Sequence, residues 1–299
     1  MITEGRPSLG IIGPGKVGET FARLFYKHGW QITAISGRDR ERAARLAADL
    51  GAAVLSTVEV VYRADLTLIT VAEDAIMPVA ELIAQTADDL HGKAIVHASG
   101  AHSAESLRAL SEKGAMVGSL HPAYPIADVQ RAMIGLHGAA FAVEAADPRL
   151  RGWLMEMVAA VEGRFLLIPV GEKALYHAAL CIASNYTVTL YALAERLLFG
   201  LGADQAAVAA ALNVLLAGTV DNLRTRGIPD ALTGPLVRAD IGTLKAHLTT
   251  LERFDPETAY LYKALARGTF PLLQQRGTPM DAIEHLFGQE GYDDPLDGT

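Results

Sequence analysis

The stretch 10–25, GIIGPGKVGETFARLF, runs an apolar segment into three glycines and then into an amphipathic pattern. Gly13, Gly15 and Gly18 keep the spacing G-x-G-x-x-G. The first allows a tight turn, the second lets the backbone approach a pyrophosphate, and the third lets a helix lie close to the strand before it. The amides at such a helix start face phosphate oxygens. The stretch predicts a strand, a turn and a helix that bind a dinucleotide, with Gly13, Pro14, Gly15, Lys16, Val17 and Gly18 as the loop. A glycine-rich turn without a ligand is the plainer alternative.

Outward from that loop, strand-like and helix-like pieces alternate, as parallel α/β units should. Strand patterns fall at 8–13, 31–36, 52–55, 66–71, 93–98, 115–120, 138–144 and 164–169. Helical spacing occupies 16–29, 39–50, 74–87, 103–113 and 148–162. Beyond about residue 170 the strand patterns stop, and helices are expected at 171–200, 204–225, 239–253, 256–275 and 279–288. Their breaks fall at glycine and proline clusters. The expected fold class is α/β: a Rossmann doubly wound parallel sheet in residues 1–168, followed by an all-helical C-terminal domain in 169–299 for substrate and dimerisation. The acidic, glycine-rich tail GQEGYDDPLDGT should be loose.

Composition bounds the function. Length, at 299 residues, leaves room for two cores, and 34 acids against 26 bases provide no basic surface for nucleic acid. A single cysteine, Cys181, excludes an intrachain disulfide and a cysteine metal site, which fits a reducing cytoplasm. The start MITEGRPS lacks the pattern of a signal peptide. Residues 174–194 hold no Asp, Glu, Lys or Arg, but they include His177, Ser184 and Asn185 and have no second such span. A buried helix, not a membrane span, is expected there. A helix so apolar is covered by its own domain or by a second copy of the chain.

The end of the second strand separates the two nicotinamide cofactors. An NAD site would carry an acid there, whereas AISGRDR offers Ser36 and Arg38. A hydroxyl and a guanidinium attract a 2′-phosphate, so NADP, with NADPH preferred over NADH, is the expected cofactor. Val71 and Ala72, ending the fourth strand, should pass the nicotinamide half, with Asp74 capping the next helix. Ser99 and Gly100, from HASGAHS, should lie near the ring.

GSLHPAYP, residues 118–125, places His121 on the same carboxyl edge as Ser99. Such a pair can bond a substrate hydroxyl or carbonyl and pass its proton, since an imidazole titrates near neutrality. A turn histidine bonded to backbone is the plainer alternative. In the following helix Lys173, His177, Cys181, Ser184 and Asn185 form one polar stripe, of which His177 and Asn185 are candidates to touch substrate. A satisfied core histidine and a backbone-bonded asparagine would explain the stripe equally well. Arg238, Asp240 and Thr243 open a later helix. There Arg238 could clamp a carboxylate and Thr243 could bond the reacting group, or Arg238 and Asp240 could form a surface ion pair of little worth.

Together GIIGPGKVG, HASGAHSAESL, GSLHPAYP, YHAALCIASNY and TGPLVRADIGTLKAHL resemble the Rossmann-like proteins with a DUF2520 helical domain, a group described as NADP-dependent oxidoreductases. The resemblance spans most of residues 8–253 and implies a fold similar to the 6-phosphogluconate dehydrogenase superfamily, with the helical domain forming dimers. GSLHPAYP also resembles the His-Pro motif of prephenate and arogenate dehydrogenases, which implies that His121 bonds the hydroxyl being oxidised, with Ser99 on the nicotinamide side. GPLVRADIGTLKAHLTTLE is similar to a helix start of pyrroline-5-carboxylate reductases, which implies that Thr243 contacts the imine. Departures are visible: no glycine follows the His-Pro pair, and ADIG replaces the paired glycines before the threonine. The lysine and asparagine a turn apart in β-hydroxyacid dehydrogenases are absent too, because His177 follows Lys173.

The combined expectation is an NADP-dependent oxidoreductase. Hydride would move to or from a small carbonyl, alcohol or imine in a cleft between the two domains. His121 would act as acid or base with Ser99 as its partner, His177 and Asn185 would form the wall, and Lys173, Arg238, Asp240 and Thr243 would sit on the substrate side. Prephenate-like oxidation of a hydroxy acid and a non-catalytic NADP sensor are the alternatives.

Overall fold

A computed structural model describes residues 5–169 and 171–288. The chain divides into two units, 1–186 and 187–299. The first unit alternates strands and helices: β1 Leu9–Ile12, α1 Lys16–Lys27, β2 Ile32–Ser36, α2 Arg40–Leu50, β3 Ala53–Val54, α3 Thr57–Arg63, β4 Leu66–Ile69, α4 Glu73–Thr86 and β5 Ala94–His97. A 3₁₀ turn at Ala104–Leu107 leads into α5 Arg108–Ser111, and β6 Met116–Pro122, α6 Val129–Gly135, β7 Ala140–Ala145, α7 Pro148–Ala160, β8 Arg164–Leu167 and α8 Lys173–Ala183 follow.

All eight expected strands form one sheet in the order β3-β2-β1-β4-β5-β6-β7-β8. The chain winds outward from β1 to β3 and then restarts at β4, so a crevice opens beyond the carboxyl ends of β1 and β4. Strands β1, β4 and β5 are buried on both faces, as parallel strands covered by helices must be. One core layer gathers Phe21, Phe25, Trp30, Leu46 and Trp153 under α1, α2 and α7. The other gathers Val60, Ile76, Ile83 and Leu107 under α3, α4 and the 3₁₀ turn.

The sheet departs from the expected all-parallel pattern in one place: β7 runs antiparallel to β6, pairing His121 with Ala142 and Ser119 with Glu144. A parallel partner needs a crossover that carries the chain back along the sheet. After Pro122 the chain instead makes only the seven-residue α6, which packs on α1, so β7 re-enters from the carboxyl end. Helices α3 and α6, not expected from the sequence, are each seven residues long. Helix α3 had a readable start, since Ser56 and Glu59 form a reciprocal capping box.

The stretch expected as one helix over 171–200 is two, divided at Ser184, which caps the first while staying in the right-handed region at φ −113 and ψ −68. Its second part is α9 Asn185–Gly200. No single helix therefore covers 174–194. Among the described residues the one helix long and apolar enough to cross a membrane is α10 Gln205–Arg226, which unlike 174–194 carries Asp221, Arg224 and Arg226.

The second unit continues with α10, α11 Ile241–Phe254, α12 Pro256–Gln275 and α13 Asp281–Phe287. Its core joins Leu244, Leu248, Leu273, Ile283 and Phe287. The tail expected to be loose lies, from residue 289 on, outside the described residues.

Candidate functional site

The glycine loop folds as its spacing requires. Gly13 takes φ +95, a conformation that side chains resist, and a Cβ there would meet Val71 at 2.8 Å. A Cβ on Gly18 would lie 2.2 Å from the Gly13 carbonyl oxygen and 2.4 Å from Thr70 Oγ1, so α1 can approach β1 only with glycine at 18. Beside Gly15 a Cβ would meet nothing within 4 Å, which leaves room for a ligand to reach the backbone. Gly15 also caps α1 without a side chain, leaving the first-turn amides to an anion. The hydroxyl of Thr70, a residue the sequence reading missed, donates to the Gly13 carbonyl at 2.8 Å and holds the turn.

A cleft of about 1020 Å³ opens over this turn, lined by Gly13, Pro14, Gly15, Ser36, Arg38, Val71 and Ala72 among others. Lys16 is exposed, Val17 packs against the core and Gly18 is buried, so these three support the loop rather than line the cleft. Arg38 is exposed at the cleft, with no protein partner among the described residues. The one carboxylate beside it, Asp39, accepts from Arg42 N at 2.9 Å as the cap of α2. Ser36 is buried and shares a hydrogen bond of 3.3 Å with Thr57, an unforeseen hydroxyl of the same wall. A free guanidinium and two hydroxyls on this wall suit the phosphate of a dinucleotide, with Asp39 lining the cleft beside them and its Oδ1 taken by the cap. Asp74 does not cap α4: the cap is Ala72, and Asp74 lies in the first turn.

At the carboxyl ends of β5 and β6 a second group of side chains gathers. Parallel pairing sets His97 beside Ser119, which brings His121 level with the Ser99–Gly100 loop. The expected pairing of His121 with Ser99 is corrected here. The Ser99 hydroxyl donates to Glu73 at 2.7 Å and accepts from the amides of Ala101 and His102, so it shapes its own loop. The observed partner of His121 is Tyr176: Nδ1 and the phenolic oxygen lie 2.8 Å apart, with the rings edge to face. Tyr176 was legible in principle, since it stands three residues after Lys173 on the same helix face.

His177 joins them as foreseen, its ring 6.3 Å from that of His121. A Cβ on Gly100 would lie 2.8 Å from His177 Cδ2 and 2.9 Å from His121 Nε2, so both imidazole edges close on a position only glycine leaves open. Lys173 is 1% exposed, and its ammonium donates to the Ser99 carbonyl at 3.0 Å. Asn185 is exposed and opens α9, beyond the break that ends the expected stripe.

Burial sets the charge states. It pushes His121 down to about 4, with the Lys173 cation and His177 adding to the effect. It lowers Lys173 to about 8 against the opposing pull of Glu144 and Glu73, and raises Tyr176 to about 12. His97, buried behind the loop and also brought to about 4 by burial, bonds the Ser103 carbonyl and accepts from Ser99 N. Near pH 7 the floor of this group is therefore a neutral imidazole and a neutral phenol beside a buried ammonium.

In the second unit, Asp240 caps α11, accepting from Thr243 N at 3.1 Å and from Thr243 Oγ1 at 2.7 Å. Those bonds hold the Asp240 carboxyl below its usual range. The Thr243 hydroxyl thereby gives its one proton to the cap and keeps only its acceptor capacity toward a substrate. Arg238 is exposed just before it.

No curated protein matches the sequence. Among solved structures, protein TM1727 of Thermotoga maritima is 24% identical with a TM-score of 0.70 over 90% of this chain and 99% of its own. A Bacteroides fragilis protein described as a candidate NADP oxidoreductase is 22% identical with a TM-score of 0.68, covering 88% and 97%. A reductive aminase of Aspergillus terreus in complex with NADPH and ethyl levulinate is 18% identical with a TM-score of 0.60, covering 95% and 92%. These likenesses establish the fold. Two family models match, a Rossmann-like domain at residues 1–122 and a domain of unknown function, DUF2520, at residues 139–269. The chain thus joins a Rossmann-like domain to a DUF2520 domain.

Proposed function

We propose that the protein is an NADP-dependent oxidoreductase acting on a small carbonyl, alcohol or imine compound. The observation that carries this reading is the shared sheet edge: the Gly13–Gly18 turn and the His121–Tyr176–His177 group both lie beyond strand carboxyl ends. When bound, NADPH supplies the hydride. His121 bonds the oxygen or nitrogen of the reacting group, and the Lys173 ammonium behind the Ser99 carbonyl offsets negative charge that grows there. His177 closes the wall beside Gly100. The solved structures of similar fold that carry NADP in their descriptions support the cofactor assignment.

Fluorescence titration with NADPH and NADH, on the wild type and on Arg38→Ala, tests the reading. NADPH should bind the more tightly, and Arg38→Ala should weaken it by about 10- to 100-fold, the worth of one or two charge-assisted bonds to phosphate, with NADH little changed. Failure of both nucleotides to bind would end the enzymatic reading.

The same reading includes a second copy of the chain as partner. Helices α9 and α10 expose Val188, Leu190, Val214, Leu215 and Val220, more apolar surface than a lone soluble unit normally leaves in water. Sedimentation should give twice the chain mass, and Val214→Asp with Leu215→Asp should give monomers. A chain that stays monomeric in buffer, or that needs detergent to stay dispersed, would rule the dimer out.

A further inference from the structure

Every hydrogen-bonding atom of Ser99 is used inside the protein, and chemistry fixes the donor in each bond. Its amide donates to His97 Nδ1 at 3.2 Å, and its carbonyl accepts from the Lys173 ammonium at 3.0 Å. A carboxylate can only accept, and an amide N–H can only donate. The hydroxyl proton therefore goes to Glu73 at 2.7 Å, and the hydroxyl oxygen accepts from the amides of Ala101 at 3.1 Å and His102 at 3.0 Å.

Glu73 and Ser99 need their bond unequally. Glu73 is exposed, so water can serve its carboxylate. Ser99 is 6% exposed, and its hydroxyl has no other acceptor among the described residues. Without the carboxylate, either a buried donor goes unmade or the hydroxyl turns away from one of the two amides, and the turn is weakened both ways. That turn carries Gly100, whose Cβ position lies 2.8 Å from the His177 ring and 2.9 Å from the His121 ring. The contact leaves no slack, so a displaced turn displaces the rings with it. Glu73 is also the first residue of α4, directly after Ala72 in the wall of the nucleotide cleft.

We propose that Glu73 is a positioning residue: its carboxylate fixes the Ser99 hydroxyl and so ties the turn behind the His121 and His177 rings to the wall of the nucleotide cleft. This inference rests on the oxidoreductase reading of the same site and adds to it a residue that acts through Ser99. A bond of this kind sets the alignment of cofactor and imidazoles, so its loss lowers turnover and leaves nucleotide affinity in place.

Two variants separate holding from charge. Glu73→Ala removes the acceptor. Glu73→Gln keeps an acceptor oxygen at the same reach but removes the charge that also acts on His121 and Lys173. In the full-length protein without ligand, hydrogen exchange over residues 98–104 should quicken about tenfold or more in Glu73→Ala and stay near the wild-type rate in Glu73→Gln. With NADPH and a panel of ketones, aldehydes and cyclic imines, Glu73→Ala should lower kcat about 10- to 100-fold while NADPH affinity stays within about twofold. Glu73→Gln should bring kcat back to within about threefold of the wild type. Unchanged exchange or unchanged kcat in Glu73→Ala overturns the proposal. So does a glutamine variant as slow as the alanine variant, which would make Glu73 a source of charge, or a loss of NADPH affinity that accounts for the lost rate. A wild type that binds neither nucleotide defeats the oxidoreductase reading instead, and the exchange rates then decide by themselves whether Glu73 holds the turn.

Discussion

Replacing His121 with asparagine is expected to lower kcat by about 10² to 10⁴, the usual contribution of a positioned proton-handling group, while NADPH affinity stays within about twofold. The separation follows from the layout. His121 is the penultimate residue of β6, whereas the nucleotide cleft is built over Gly13, Ser36 and Val71. Asparagine keeps a polar side chain of similar reach and so avoids a cavity. The pH profile should carry the same signature. Burial holds the wild-type ring at about 4, so His121 stays neutral from pH 8 down to pH 5.5, and wild-type turnover should show no acid limb with the ordinary histidine midpoint in that range. NADPH oxidation with a panel of ketones, aldehydes and cyclic imines supplies the assay. A variant that turns over any substrate of the panel at the wild-type rate would remove His121 from the mechanism.

Two glycine substitutions should separate folding from binding. In Gly18→Ala the new methyl would press on the Gly13 carbonyl oxygen and on Thr70 Oγ1 at 2.2 and 2.4 Å. Backbone cannot yield as a flexible side chain can, so α1 must move off β1. The cost should reach the upper end of the overpacking range, about 3 kcal/mol, with NADPH binding weakened more than 100-fold. In Gly15→Ala the methyl meets no protein atom, so stability should hold within about 0.5 kcal/mol. Binding should still fall at least tenfold, because the methyl occupies the space through which a pyrophosphate reaches the backbone. Urea unfolding and NADPH titration on both variants give the two axes. Wild-type affinity in Gly15→Ala would place the pyrophosphate elsewhere.

Much of the site was readable because its signals are local. The turn at Gly13, the open space at Gly15 and the tight contact at Gly18 follow from what glycine permits within six residues, and the eight strands follow from short apolar runs between turns. Arg38 was readable for the same reason: it stands two residues after the end of β2, and Asp39 beside it is a helix cap by type and position. His121 was placed on the right edge because the apolar run before it reads as a strand and the turn residues after Pro122 close it, β6 ending at Pro122.

What the sequence determined by itself was therefore the Rossmann sheet, its nucleotide turn and the helical character of the remainder, all written in spacing and in backbone stereochemistry. The tertiary structure alone decided the rest. Tyr176 was readable as a neighbour of Lys173 on one helix face, but that it reaches His121 across 55 residues of chain was decided only by packing. Ser99 lost its expected role because Glu73 and two amides took its hydroxyl, a competition visible only once β5 and α4 are packed. The antiparallel turn of β7 came from the brevity of α6 and its seat on α1. The neutrality of His121 came from burial beside Lys173 and His177, since a ring's pKa depends on the water and charge around it and not on its neighbours in sequence.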